Sequence, residues 1–257
     1  MWKLNYTTRK PELRNPILIE GLPGIGNVGK LAIDFIIDET KAKKIAEFHS
    51  FGFPHSVFVN EENLVELPAI EVFAKQRKGK QDLLLLAGDV QPLDEQSCYQ
   101  FSDAVLEMAK ELGCNEIITL GGVAMKQVPK KPQVYLTGNN KNVVTKYLKS
   151  TTLNHNIYGT VGPIVGVSGV LVGLAKRKNI DAISLLAETY GHPMYLGIAG
   201  AREILKVLNK KLSLNLRMKQ LEKELSELEQ EMAENPAIKQ VKNLAKLRKP
   251  KDTSYIG

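Results

Sequence analysis

Short runs of apolar residues alternate along this chain with longer segments in which apolar residues recur at helical spacing. The runs are typical of strands buried on both faces of a sheet, and the longer segments are typical of helices that pack one face on it. The strand candidates are PILIEG, LLLLAG, CNEIITLGG and IDAISLLAET, and the helix candidates are NVGKLAIDFIIDET, SCYQFSDAVLEMAKELG, GPIVGVSGVLVGLAKRKN and GIAGAREILKVLNKKL. The alternation predicts an α/β fold over residues 1–212, with a sheet covered by helices on both faces in three α/β/α layers.

The segments between these elements predict further strands and one short helix. KKIAEFHSFGFPHSVFV indicates one or two strands interrupted at Gly52 and Pro54, and NLVELPAIEVFAK indicates two more strands before a KGK turn. Residues 134–161 predict strands around the short helix NKNVVTKYL. Glycine and proline at the strand exits show where the chain turns, but they do not determine the order of the strands.

The pattern changes after residue 212 to a heptad rhythm. Apolar residues stand 4, 3, 4, 3 and 4 positions apart, at Leu214, Met218, Leu221, Leu225, Leu228 and Met232. The stripe predicts a helical extension over residues 213–235, which is either a coiled-coil contact or an amphipathic helix lying on its own domain. Pro236 ends or interrupts that helix, and residues 236–257 have few apolar side chains, which predicts a flexible basic tail.

The net charge of +7 is concentrated at the two ends of the chain. Residues 1–14 carry a net +3 and residues 234–257 carry a net +4, so residues 15–233 are neutral overall. A domain that binds nucleic acid is expected to have a basic face of its own. We therefore interpret the ends as solvated tails, and nucleic-acid binding is the less favoured alternative.

The sequence also bears on the compartment. Its apolar runs stay below the roughly 18 residues that a membrane-spanning helix needs. The N-terminal residues MWKLNYTTRKPELRNP lack the apolar core of a secretory signal. Cys98 and Cys114 are the only cysteines, which suits a reducing compartment. The expectation is a cytoplasmic protein without a membrane partner.

The turn within EGLPGIGNVGKLAIDFII matches two phosphate-binding patterns. Gly24, Gly26 and Gly29 satisfy G-x-G-x-x-G, and Lys30 gives the G-x-x-x-x-G-K of a P-loop. A P-loop needs Ser or Thr after the lysine to help hold Mg²⁺, and Leu31 has no hydroxyl. P-loop chemistry is therefore disfavoured.

The dinucleotide pattern has the required order of strand, glycine turn and helix. Glu47 stands 18 positions after Gly29, near the place of a ribose-binding carboxylate. Two interpretations of the turn stay open at this point. Either it binds a dinucleotide, or its glycines let a helix begin close against a strand.

Side chains that could perform catalysis are sparse. The four histidines and two cysteines lack metal-ligand spacing, and Ser168 in GVSGV has the wrong glycine phase for a nucleophile elbow. Asp89 and Glu188 end predicted strands, where α/β enzymes place functional groups, although solvated acids and helix caps are commoner. We predict no catalytic, cofactor-binding or metal-binding residues.

Five stretches, taken together and in order, resemble the archaeal proteasome-assembly-chaperone family. They are GLPGIGNVGKLAIDFII, LLLLAGDVQP, ITLGG, GPIVGVSGVLVGLA and LLAETYGHPMYLGIAGAREILKVL, and they span about residues 15–210. The resemblance implies an α/β/α domain related in fold to nucleoside phosphorylases. It also implies a homo-oligomer that binds the α-subunits of the 20S proteasome without catalysis or cofactor, and a glycine turn with a structural role.

The same resemblance directs attention to the C-terminus. Proteasome activators commonly end in a hydrophobic–Tyr–any tripeptide, whose terminal carboxylate pairs with a lysine between α-subunits. This chain ends in Tyr255, Ile256 and Gly257, so the tyrosine is third from the end instead of second. We expect these residues to bind the proteasome with Tyr255 or Ile256 in a shifted register, and the alternative is an ordinary unbound terminus.

The expected function is that of a non-enzymatic, homo-oligomeric proteasome assembly chaperone or activator from an archaeon. The alternative is a nucleotide-dependent enzyme, either an ATP-grasp-like ligase or a dinucleotide-binding enzyme, that uses the loop from Gly24 to Lys30.

Overall fold

The computed structural model describes residues 2–149, 151–159, 161–192, 195–218 and 223. Within these residues the chain forms ten strands, five α-helices and two short 3-10 turns. The strands are β1 (Lys3–Tyr6), β2 (Ile17–Gly21), β3 (Lys43–His49), β4 (Phe58–Val59), β5 (Val65–Glu66), β6 (Ile70–Lys75), β7 (Leu83–Gly88), β8 (Glu116–Met125), β9 (Val134–Gly138) and β10 (Asp181–Tyr190). The helices are α1 (Val28–Thr40), α2 (Glu95–Glu111), α3 (Lys141–Leu148), α4 (Val167–Ala175) and α5 (Ile198–Leu212), with 3-10 turns at Ile25–Asn27 and Lys176–Lys178.

Eight of the strands form one mixed sheet in the order β1-β3-β6-β7-β2-β8-β10-β9. The central strands β7, β2, β8 and β10 are parallel to one another. Antiparallel pairing adds β6, β3 and β1 on one side and β9 on the other. Every residue of β2 and β7 is buried, which explains why these strands are continuous apolar runs in the sequence.

Helices cover both faces of this sheet. Neighbouring residues of a strand point to opposite faces, so Leu85 joins the core beneath α1, α3 and α5, and Leu84 joins the core beneath α2 and α4. Ile33 and Leu205 close the first core, and Phe101 and Leu171 close the second. The predicted three-layer α/β/α arrangement is confirmed.

Helix α2 illustrates how local sequence positions an element. The Asp94 carboxylate accepts a hydrogen bond from the Ser97 amide at 2.7 Å and caps the start of the helix. The predicted apolar stripe is buried, with Val105 and Met108 at its centre. Gly113 follows the end of the helix at a φ of +76°, a conformation that favours glycine.

The interpretation of the N-terminus as a solvated tail is wrong. Residues 3–6 form β1, which pairs antiparallel with β3. Trp2 is 7% exposed, and its indole N–H donates to the Ser97 carbonyl at 3.1 Å. Its ring packs against Phe53 and Phe101 with centroid distances of 5.0 and 4.6 Å. The strand was not predicted from the sequence, because it is buried only by contacts with residues that are far away in sequence.

Helix α4 is shorter than the predicted segment. It begins at Val167 after Gly166, whose φ of +88° stops the helix from extending backwards. The residues before Gly166 therefore form a connection, and the start of α4 is brought to the centre of the molecule.

The first residues of the predicted extension pack on the domain. Leu214 and Leu216 are buried in the core beneath α1 and α5, and the Arg217 guanidinium donates to the Glu39 carboxylate at 3.0 Å. Met218 is partly buried against the same core. The remaining heptad positions lie outside the described residues, so the extension over 213–235 and the tail over 236–257 stay predictions.

Candidate functional site

The parallel strands β7, β2, β8 and β10 end at one side of the sheet, which we call the carboxyl edge. Helices α1, α2 and α5 follow β2, β7 and β10 at this edge. The start of α4 also lies here, because Ser168 bonds to Glu20 near the end of β2. Open α/β sheets bind their ligands at this edge, so a ligand site formed by the sequence candidates would lie here.

Two glycines of the turn after β2 are required by close packing. Gly26 has a φ of +61°, and a Cβ there would lie 2.6 Å from the Thr189 hydroxyl. A Cβ on Gly29 would lie 2.4 Å from the Leu120 carbonyl oxygen on β8. By contrast, Gly24 is extended at a φ of −164°, and its nearest neighbour would be Gln91 at 3.7 Å. The glycines therefore let α1 and the α5 connection approach the strands.

The backbone of the turn is engaged by the rest of the protein. The Gly26 carbonyl accepts a hydrogen bond from the Gly197 amide at 2.7 Å, just before α5. The Gly24 carbonyl accepts one from the Asn27 amide at 2.9 Å, and this bond closes the 3-10 turn. Through these contacts the turn joins the start of α1 to the start of α5.

The side chains that would complete a nucleotide site are not assembled at the turn. Lys30 forms an ion pair of 2.8 Å with Asp34 one helical turn later, and both are mostly buried. Glu47 lies on β3, which is separated from β2 by β6 and β7, and it bonds to Lys44 and His49. Three strand spacings amount to about 14 Å. Glu47 is therefore not in the position of a ribose-binding carboxylate.

A buried polar network joins the turn to the start of α4. Glu20 is fully buried, and its carboxylate accepts hydrogen bonds from the Leu22 amide and the Ser168 hydroxyl, both at 2.9 Å. Burial raises the pKa of Glu20 to about 7, although both hydrogen bonds act in the opposite direction. Gln91 bridges the same elements, since it accepts from the Val167 amide and donates to the Pro23 carbonyl.

The two acids that end predicted strands have structural partners. The Glu188 carboxylate is buried and accepts from the Tyr135 hydroxyl and the Gln133 amide, both at 3.0 Å, so it holds the start of β9. Burial, and then Glu188, raises the pKa of the Tyr135 hydroxyl. Asp89 accepts from the Ala69 amide at 3.0 Å and supports the entry to β6. Glu188 is neither a solvated acid nor a helix cap.

Among the described residues no group of three or more His, Cys, Asp or Glu side chains is arranged to hold a metal ion. Cys98 and Cys114 are buried free thiols, and burial raises the pKa of Cys114 to about 11. Within the same part of the chain, no helix has the length and apolar character to cross a membrane.

The carboxyl edge instead exposes many large apolar side chains. They come from the turns and connections after β2, β3, β7 and β8 and from the residue before Gly166. Large exposed apolar patches on a protein surface mark sites of contact with other macromolecules. The exposed residues are Ile25, Phe51, Val57, Val59, Leu64, Val65, Leu67, Leu93, Met125, Val128 and Val165.

Sequence reasoning missed both the polar network and this apolar surface. Glu20 is an acid within a predicted buried strand, and it has no partner among its neighbours in sequence. This was the feature of the sequence that pointed to a buried polar network. The sequence pattern predicts ordinary strands for the apolar residues of the β3–β6 connection, and the structure shows that several of them are exposed. Tyr255, Ile256 and Gly257 lie outside the described residues, so their role in binding stays a prediction.

The fold and this edge define an α/β/α sandwich in which a glycine turn packs two helices and the strand ends carry exposed apolar side chains. A family model described as PAC2 family matches residues 18–235. The chain belongs to the PAC2 family, and the resemblance to proteasome-assembly chaperones is confirmed at the level of the family.

Particular relatives are similar over almost the whole chain. Uncharacterized protein MJ1210 of Methanocaldococcus jannaschii is 29% identical over 264 residues, which cover 100% of both chains. The crystal structure of Pyrococcus furiosus PbaB, an archaeal proteasome activator, has a TM-score of 0.82 and 31% identity, covering 91% of this chain and 98% of that chain. P. furiosus PbaA, an archaeal homolog of proteasome-assembly chaperone, has a TM-score of 0.72 and 25% identity, covering 92% and 96%.

Proposed function

We propose that this protein is a non-enzymatic, homo-oligomeric proteasome assembly chaperone or activator of the archaeal cytoplasm. The observation that carries the proposal is the similarity to PbaB over 91% of this chain with a TM-score of 0.82. The glycine turn supports it, because Gly26 and Gly29 are explained by packing without any nucleotide. On this basis the protein works by binding the α-subunits of the 20S proteasome.

The contact is proposed to run through the C-terminal residues. The chain ends in Tyr255, Ile256 and a free carboxylate on Gly257. Capture of a chain end is an established mode of peptide recognition, because the carboxylate and the preceding side chains can be bound together. Several such ends in one oligomer would engage several pockets of a ring, so avidity would compensate for weak individual contacts.

A pull-down with isolated proteasome α-subunits tests this function. Full-length protein is expected to capture the α-subunits, and a chain ending at Thr253 is expected to lose most of the capture. Ser254→Ala in the full-length chain is the matched control and should bind like the wild type. Equal capture by the shortened chain would refute the role of the terminus, and no capture by any of the three would refute the function.

The register of the terminus can be tested in the same assay. Removal of Gly257 alone makes Tyr255 the second residue from the end, which is the usual position of the tyrosine. If Tyr255 occupies the pocket, this variant is expected to bind at least as well as the wild type. If Ile256 occupies it in a shifted register, Tyr255→Ala should bind and Ile256→Ala should not.

A further inference from the structure

The connection between β3 and β6 is a hairpin with an unusual amount of exposed apolar surface. We call residues 50–69 the acidic hairpin; β4 and β5 within it form a two-stranded sheet separate from the main sheet. Val65 and Leu67 are 70% and 74% exposed, and Phe51 is fully exposed. A two-stranded hairpin is only marginally stable in water by itself, so a partner that covers these side chains would stabilise it.

The charges on the acidic hairpin are all of one sign. It carries Glu61, Glu62 and Glu66 and no lysine, arginine or aspartate, which gives a net charge of −3. The partner that fits this surface is therefore apolar and basic.

The same chain carries a surface of that kind. We call residues 125–133, which join β8 to β9, the basic loop. It contains Lys126, Lys130 and Lys131 and no acid, for a net charge of +3, and it exposes Met125 and Val128. The two segments thus carry net charges of equal magnitude and opposite sign, and both expose apolar side chains.

Within one subunit the acidic hairpin and the basic loop are separated along the sheet. Glu61, Glu62 and the three lysines of the basic loop form no ion pair with any described residue. The acidic hairpin joins the sheet at β3 and β6, and the basic loop joins it at β8 and β9. Strands β7 and β2 lie between them, so the two segments occupy different parts of the carboxyl edge.

We propose that the acidic hairpin of one subunit docks on the basic loop of a second copy of this chain. The proposal rests on the homo-oligomer of the proposed function and names its interface. Apolar side chains form the centre of the contact, and the glutamates and lysines at its rim select the partner and the orientation. A second copy is the occupant because this chain itself carries both complementary surfaces.

The arrangement has a consequence for symmetry. The acidic hairpin of one subunit meets the basic loop of another, so a single contact leaves one free hairpin and one free loop on the pair. Two copies can fill both patches reciprocally about a two-fold axis, or further copies can add head to tail. Repetition of such a contact closes into a ring when the rotation per subunit allows it.

Charge reversal of each patch tests the proposal. Glu61→Lys with Glu62→Lys makes the hairpin basic, and Lys130→Glu with Lys131→Glu makes the loop acidic. Each pair is expected to weaken self-association by about 100-fold or more, because like charges then face each other. Mass measurement by light scattering across a concentration series gives the dissociation constant. Lys78→Glu with Lys141→Glu, exposed positions at the opposite edge, is the control and should assemble like the wild type.

Rescue distinguishes complementarity from general damage. All four substitutions in one chain restore opposite charges across the contact, so assembly should return to within about tenfold of the wild type. Mixing the two single-patch variants should also give assemblies in which they alternate. Far-ultraviolet circular dichroism of each variant checks that the monomer is folded.

Several outcomes overturn the proposal. A wild-type monomer at all concentrations, unchanged assembly in both reversals, or failure of the four-fold variant to assemble would each refute this interface. Capture of α-subunits is measured separately on the same proteins. A reversal variant that loses assembly and keeps capture leaves the binding of α-subunits intact and shows that avidity is not required for it. A wild type that assembles without capturing α-subunits refutes the proposed function and leaves the interface standing.

Discussion

At the scale of single residues, Glu20 is an acid at the centre of an apolar sheet. Among the described residues, its carboxylate accepts hydrogen bonds from the Leu22 amide and the Ser168 hydroxyl, and burial raises its pKa to about 7. Such a group stabilises the junction of the glycine turn with α4 through its hydrogen bonds. It also makes the stability of the fold depend on its state of protonation.

The sign of that dependence follows from the direction of the pKa change. The folded state binds the proton more tightly than the unfolded chain, so the stability of the folded protein falls as the pH rises from about 4.5 to about 7. A pKa near 7 in place of 4.5 corresponds to roughly 3 kcal/mol. Glu20→Gln is expected to remove this loss of stability. The free energy of unfolding of the variant, relative to that of the wild type, should therefore increase between about pH 4.5 and pH 8.

Urea unfolding of both proteins at the two ends of this range provides the measurement. Glu107→Gln, on the exposed face of α2, is the control and should show no comparable pH-dependent gain. A difference between wild type and Glu20→Gln that is the same at every pH would contradict a protonation effect at Glu20.

At the scale of elements, the glycine turn shows that one motif serves two different purposes in different folds. The G-x-G-x-x-G pattern is the same in a dinucleotide loop and in a packing junction. Here Gly26 and Gly29 are confined by Thr189 and Leu120, and Gly24 has room for a side chain. A dinucleotide loop would need all three glycines: the first for the tight turn, the second for the approach of the backbone to the pyrophosphate, and the third for close packing of the helix on the strand.

Substitutions in the turn separate the two purposes. Gly26→Ala is expected to lower the free energy of unfolding by about 1–3 kcal/mol or more, because of its φ of +61° and the contact with Thr189. Gly24→Ala, the matched control, should change it by less than about 0.5 kcal/mol. Urea denaturation measures both.

The same proteins test the alternative of a nucleotide-dependent enzyme. Neither ATP nor NAD at millimolar concentration is expected to raise the melting temperature of the wild type. A ligand at a hundred times its dissociation constant would stabilise by about 2.7 kcal/mol. Stabilisation of that size, lost in Gly24→Ala, would favour the enzyme.

At the scale of the whole molecule, the described domain continues beyond residue 212. The side chains of Leu214 and Leu216 complete the core between α1 and α5. The Leu212 and Ser213 carbonyls accept hydrogen bonds from Arg77 and Lys80 in the turn between β6 and β7. The chain therefore leaves α5 along the edge opposite to the carboxyl edge.

Shortened chains test where the folding unit ends. A chain ending after Leu212 is expected to be less stable by at least about 3 kcal/mol, because two buried leucines are removed and each is worth 2–5 kcal/mol. A chain ending after Met218 should keep nearly the stability of the full chain. Urea unfolding followed by circular dichroism compares the three. Equal stability of both shortened chains would contradict the role of Leu214 and Leu216.

The sequence by itself determined the three layers and most of the elements that build them. Strands such as LLLLAG and the apolar stripe of α2 could be predicted from the spacing of apolar residues. Burial gives strands a continuous apolar run or an apolar residue at every second position, and it gives helices an apolar period of 3.6 residues. The heptad after residue 212 and the family resemblance could also be recognised from the sequence. Both are patterns among residues close together in the chain.

Only the tertiary structure decided what the candidate residues do. It placed Glu47 three strands from the glycine turn, buried Glu20 against Ser168, and packed Trp2 on Phe101. It also left the acidic hairpin uncovered. Each of these outcomes depends on strand order and on contacts between residues far apart in sequence, and local periodicity carries no information about either.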